Sequence, residues 1–323
     1  MRGRLLLVLS LVAAVLVTTG TTAVLLWVEP ATAKSEAIKT GGLAGGAIVA
    51  LYALWLNDRR RRTEEARHEL ESDKVADERF ARAVEMLGNE ADQVRVGALH
   101  ALAGLARATP RYKQTVLDVL CAYLRRPFKH PAYDLKPEDP DQAYHGIAPD
   151  DDVARPTPEE DRERTVRLTA QRLITDLLPW GMDTDPTLYH LDLTGASVEY
   201  LRLEGRRVGR LSARRTRFHG ITAFREVRFG KPALFSGGAF LGRVDFRAAL
   251  FHGGLSLQDV PFHRPLDARG AEVGEFLHLP PEPPELLGPV VLLPGTRVKE
   301  DPAGWAFTGA DDARFVGRTE EHR

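Results

Sequence analysis

Apolar residues between Leu191 and Val273 recur first every five residues and then by alternating steps of five and six. The first stretch runs Leu193, Val198, Leu203, Val208, Ala213 and Phe218. The second runs Phe224, Phe229, Phe235, Phe240, Phe246, Phe251, Leu257, Phe262, Ala268 and Val273. A second series of small or apolar residues stands two positions earlier, from Ala196 and Leu201 to Leu266 and Ala271, and is broken by Arg206. This period fits neither the helical repeat of about 3.6 nor the strand repeat of about 2. A fixed short period predicts a stacked solenoid, each unit burying its apolar side against the next. The polar residues between the two series, including His219, His252 and His263, are expected to face solvent.

Upstream the pattern is helical. Phe80, Ala83, Val84 and Leu87 make one stripe, and Val94, Ala98, Ala101, Leu102 and Leu105 another. Thr109-Pro110 reads as a cap with proline at the first helical position, ahead of a stripe of Val116, Val119, Leu120, Tyr123 and Leu124. These place an α-helical region at 59–126. Residues 127–156, rich in Pro and Asp, read as a linker without periodicity. Thr157-Pro158-Glu159-Glu160 is a capping box opening an amphipathic helix at 157–179, with Val166, Ala170, Leu173, Ile174 and Leu177 inward.

The N-terminus carries two apolar runs, about 5–28 and 38–56, joined by a short polar loop. Roughly 20 apolar residues span a bilayer core, so residues 1–58 predict a transmembrane hairpin packed at Gly41, Gly42, Gly45 and Gly46. Ala31-Thr32-Ala33 also matches a signal-cleavage pattern for residues 1–33. Arg2 and Arg4 before the first run, and Arg59, Arg60, Arg61 and Arg62 after the second, put both ends inside. The expectation is a multi-pass protein of the plasma membrane with a cytoplasmic main body. Its partner would be the lipid bilayer, and Arg59–Arg62 are candidate lipid-headgroup contacts.

The segment from Leu191, with Leu191-Asp192-Leu193-Thr194-Gly195-Ala196 and Ala248-Ala249-Leu250-Phe251-His252-Gly253, resembles the pentapeptide-repeat family. The resemblance implies a right-handed, four-sided β-helix over 191–279, with the ladder residues pointing inward. About 16 units would make roughly four coils spaced as strands are, about 4.8 Å apart. The prolines at 280, 281, 283 and 284 are expected to stop it, with 286–323 forming a cap and tail. The wider layout resembles membrane pentapeptide-repeat proteins of actinomycetes, and the helical region a HEAT-like pair.

The lone Cys121 excludes a disulfide framework. No phosphate loop, metal-ligand pair or nucleophile elbow is present, so the sequence nominates no catalytic residue, cofactor or metal. What remains is a membrane-anchored interaction scaffold for a cytoplasmic or membrane protein. The net charge is −1, yet residues 191–273 hold fourteen Arg and Lys against eight Asp and Glu. Arg206, Arg207, Arg210, Arg214, Arg215 and Arg217 form a candidate patch for an anionic partner, with nucleic acid or anionic lipid as the alternative ligands. Soluble members of the family imitate DNA and occupy gyrase; the basic balance opposes that role here.

Overall fold

The computed structural model describes residues 2–28, 34–133, 155–184, 186–299, 304–309 and 314–318. It divides into two units, residues 1–77 and 78–323.

The first unit holds α1 (Arg2–Val28) and most of α2 (Lys34–Met86). Among the described residues no helix is long and apolar enough to cross a membrane. This overturns the two-span hairpin, and with it the multi-pass plasma-membrane location. Two local features go with the correction. The hydroxyls of Thr18, Thr19, Thr21 and Thr22 in α1 turn back to carbonyls three or four residues earlier. The helix that holds the second apolar run does not end at residue 56. It continues as one helix of 53 residues through the charged stretch, where Arg62 pairs with Asp58 at 2.8 Å and Arg60 with Glu64 at 3.5 Å. The stripe expected as a separate helix around Phe80 is the last part of the same helix.

The second unit opens with a helical layer of α3 (Asp92–Ala108), α4 (Lys113–Arg125) and α5 (Pro158–Leu177). All three pack on one another, a trio rather than a stacked pair. Ala98, Leu99, Leu102, Val116, Leu120, Leu173 and Ile174 are buried between them. Thr109 makes no side-chain cap; a short 3-10 turn, Pro110–Tyr112, leads into α4 instead. The capping box at Thr157 and Glu160 is formed in both directions. Residues 134–154 of the expected linker lie outside the described residues, but 127–133 are folded onto the unit and end in a 3-10 turn, Pro131–Tyr133.

The solenoid has five coils. The first is β1 (Leu191–Asp192), β2 (Ser197–Glu199) and β3 (Arg207–Val208). The second is β4 (Leu211–Ser212), β5 (Arg217–His219), β6 (Thr222–Ala223) and β7 (Arg228–Phe229). The third is β8 (Ala233–Leu234), β9 (Ala239–Phe240), β10 (Val244–Asp245) and β11 (Leu250–Phe251). The fourth is β12 (Leu255–Ser256), β13 (Leu266–Asp267) and β14 (Glu272–Val273). The fifth is β15 (Phe276–His278), β16 (Leu286–Leu287) and β17 (Val290–Leu292). After β18 (Arg297–Lys299), the antiparallel pair β19 (Trp305–Thr308) and β20 (Arg314–Arg318) joins the edge of β17.

Four parallel sheets make four sides. Side one is β1-β4-β8-β12-β15-β18 and side two β2-β5-β9. Side three is β6-β10-β13-β16, and side four begins β3-β7-β11-β14-β17. Between coils two and four, equivalent residues stand 22 apart, as Leu211, Ala233 and Leu255 do. The prolines at 280–284 do not stop the column. They fall between β15 and β16, where side two has no fifth strand, so their missing N–H groups cost no ladder bond.

The predicted ladder is the core. Rings stack from coil to coil: Phe218 on Phe240 at 4.5 Å, Phe240 on Phe262 at 5.1 Å, and Phe229 on Phe251 at 5.1 Å. Burying each ring contributes about 1.5–3 kcal/mol before chain entropy is counted. The six-residue steps follow Phe218, Phe229, Phe240, Phe251 and Phe262, and put their extra residue in the corners after sides two and four. The other two corners are tight turns. In them the residue two after the ladder position takes positive φ: Arg215, Glu226, Gly237, Ala248, Asp259 and Gly270. The turn at Ala248 is closed by Ala249 N–H donating to Phe246 O at 3.0 Å.

Candidate interaction surface

The helical layer meets the first coil on several sides: Arg125 of α4 pairs with Asp192 on side one, Thr175 of α5 donates to Arg202 O, and α5 also reaches side two. Arg164 of α5 donates from Nε and Nη2 to the Glu199 carboxylate at 2.8 and 2.5 Å. That carboxylate is the first cause of the raised pKa of Arg164. Gln171 Oε1 accepts from Glu199 N–H at 2.9 Å. The Arg167 guanidinium is buried between the layers. It donates to Leu124 O at 2.5 Å, Arg126 O at 3.3 Å and Ser197 O at 3.3 Å, so it caps carbonyls at the end of α4 that have no helical partner and reaches β2 as well. Burial lowers its pKa.

The chain after α4 continues the cover. Phe128 lies under Arg167 at 4.9 Å, and His130 Nε2 meets Asp161 Oδ1 at 3.1 Å. Tyr133 stacks on His219 of β5 at 3.9 Å between centroids. His219 is therefore buried, not solvent-facing as its place between the apolar series suggested; His252 and His263 are exposed. Burial pushes the Tyr133 hydroxyl up to about 12. Coil one of side two is thus covered by α5 and coil two by Tyr133. Beyond them Ala239 and Leu241 of coil three are half-buried and Pro261 and His263 of coil four are exposed, while the Phe262 ring turns inward onto Phe240.

The six candidate arginines do not share one face. Arg206 leaves the inward series because Trp180 covers the first coil there. Its guanidinium lies 3.9 Å from the indole and donates to Leu178 O at 2.9 Å. Arg207 is half-buried on side four, and Arg210 sits at the corner between sides four and one. Arg214 and Arg215 stand at the corner leading into side two, and Arg217 on side two itself, all exposed. Arg59, Arg60, Arg61 and Arg62 are exposed on α2; Arg59 lies 5.3 Å from the Trp55 ring and the other three pair with acids on the same helix.

Arrangement around the column matters more than the run in sequence. Side two with its two corners, over coils two to four, carries Arg214, Arg215, Arg217, Arg243 and Arg264 against Asp259 alone. The remaining sides of the same coils balance five basic residues with five acidic ones. Two arginines there are held tightly: Arg247 clasps Asp245 at 2.6 Å and reaches Asp267 at 3.6 Å, while Arg269 clasps Asp267 at 2.6 Å.

Residues 213–261 match the family model described as pentapeptide repeats. The central coils of the solenoid are pentapeptide repeats. No curated protein and no solved structure matches the chain significantly. Among the described residues no three His, Cys, Asp or Glu side chains stand close enough to hold a metal. Sequence reasoning missed Tyr133 as the cover of His219. Laying the sequence out in rows of 22 would have placed Arg217 and Arg243 on neighbouring coils of one side.

Proposed function

We propose that this chain is a non-enzymatic interaction scaffold whose pentapeptide-repeat solenoid presents side two to a protein partner. One observation carries the reading. Side two already binds α5 and Tyr133 at its first two coils, and the same side runs on to Leu241, half-buried, and His263, exposed. A rigid parallel column offers such a face with little ordering cost. The arginine excess there argues against imitation of nucleic acid, which requires a negative surface.

Photocrosslinking in cells tests this reading. A crosslinking side chain at Leu241 should yield a defined protein adduct, and one at Leu234 on side one or Leu250 on side four should not. A folded chain giving no protein adduct from any of the three positions would refute the scaffold role.

A further inference from the structure

We propose that the open part of side two takes an acidic, extended protein segment with an apolar residue between its carboxylates. The proposal rests on the scaffold reading and names the chemistry of its partner.

Charge comes first. Among the described residues Arg215, Arg217 and Arg243 are exposed and make no salt bridge within 4.0 Å, whereas Arg247 and Arg269 on the far corner are held by aspartates. The only acid on this side over coils two to four is Asp259. Exposed, unpaired guanidiniums in a fixed frame favour carboxylates, which they can hold with two parallel bonds.

Shape comes second. Leu241 stands on side two in coil three, with Arg217 at the entry to that side in coil two, Arg243 at its exit in coil three, and His263 in the matching place in coil four. Coils rise by about 4.8 Å, so an extended chain at about 3.3 Å per residue covers the three coils in three to four residues. A carboxylate, an aliphatic side chain and a second carboxylate then meet Arg217, Leu241 and the corner arginines in turn.

The same frame disfavours nucleic acid. Binding of single strands relies on aromatic faces for bases to stack on. The Tyr133 ring already stacks on His219, and the Phe262 ring stacks on Phe240 inside the column.

The test uses the full chain and three probes: a fluorescein-labelled peptide of alternating Glu and Leu, oligothymidylate of similar length, and phosphatidylserine vesicles. The peptide should bind, and its Gln-for-Glu counterpart should not. Arg217→Glu and Arg243→Glu should each weaken binding about tenfold, while Arg228→Glu on side four leaves it unchanged. Circular dichroism of each variant establishes that it is folded. Equal loss with Arg228→Glu would overturn the site. Tighter binding of oligothymidylate or of vesicles than of the peptide would overturn the partner class. A Leu241 adduct in cells together with no peptide binding would leave the scaffold standing and sink the acidic ligand.

Discussion

The ring of Tyr133 lies over the imidazole of His219, centroids 3.9 Å apart and planes 16° from parallel. One residue belongs to the chain leaving α4, the other to the second coil. The stack fastens the helical layer to the solenoid beyond the coil that α5 itself reaches. Tyr133→Ala should therefore lower stability by about 1–2 kcal/mol, with His219→Ala similar and the double variant little worse than either single one. Urea unfolding of the four proteins measures the coupling.

Arg167 makes a sharper demand. Its planar fork serves carbonyls of α4 and of β2 at once. Arg167→Ala leaves those carbonyls buried and unmet, and should cost about 3 kcal/mol or more. Arg167→Lys should recover little of that, because a single ammonium cannot stand both where Nη1 meets Arg126 O and where Nη2 meets Leu124 O and Ser197 O. The urea midpoint reads both.

Two glycines of the column should answer differently to alanine. A Cβ on Gly242 would stand 2.1 Å from Gly220 O in the coil below, and backbone there cannot give way. Gly242→Ala should destabilise by about 2–3 kcal/mol. Gly237 has a φ of +66°, but a Cβ there meets only Arg215 Cγ at 3.5 Å. Ala248 already holds the matching turn at a φ of 51°. Gly237→Ala should cost about 1 kcal/mol. Thermal unfolding of the two variants distinguishes them.

Acid should act through Asp267. The Arg269 side chain donates to it from Nε at 2.9 Å and Nη2 at 2.6 Å and holds its pKa below the usual carboxylate value. A lowered folded-state pKa gives stability that is complete above the unfolded value of about 3.9 and is lost as pH falls through the folded one. Asp267→Asn removes that pH-dependent part. The wild-type chain should lose stability faster than the variant below about pH 4, and urea midpoints across that range check it.

The sequence made some of this legible and hid the rest for physical reasons. The ladder from Leu193 to Val273 was visible because each position meets the same environment one coil away. The capping box at Thr157 was visible because its chemistry is local. The fifth coil was not, since the prolines at 280–284 forbid a strand but not a loop spanning one side. His219 was misread because the cover over it comes from Tyr133, 86 residues earlier, and no period registers that. The basic patch was misread for a related reason. Arg206 to Arg217 are neighbours in sequence, but one coil carries them past three sides of the column.

The 22-residue coil also bears on how such a chain can change over generations. Side chains of coils three and four occupy matching places, as Val244 and Leu266 do, and Phe251 and Val273. A coding stretch equal to one coil, copied or lost in frame, would lengthen or shorten the column by about 4.8 Å. Neither the seat of α5 on coil one nor the pairing of β20 with β17 would need to be rebuilt. Reach along side two is thus open to inheritance in whole steps, while the junction with the helices stays fixed.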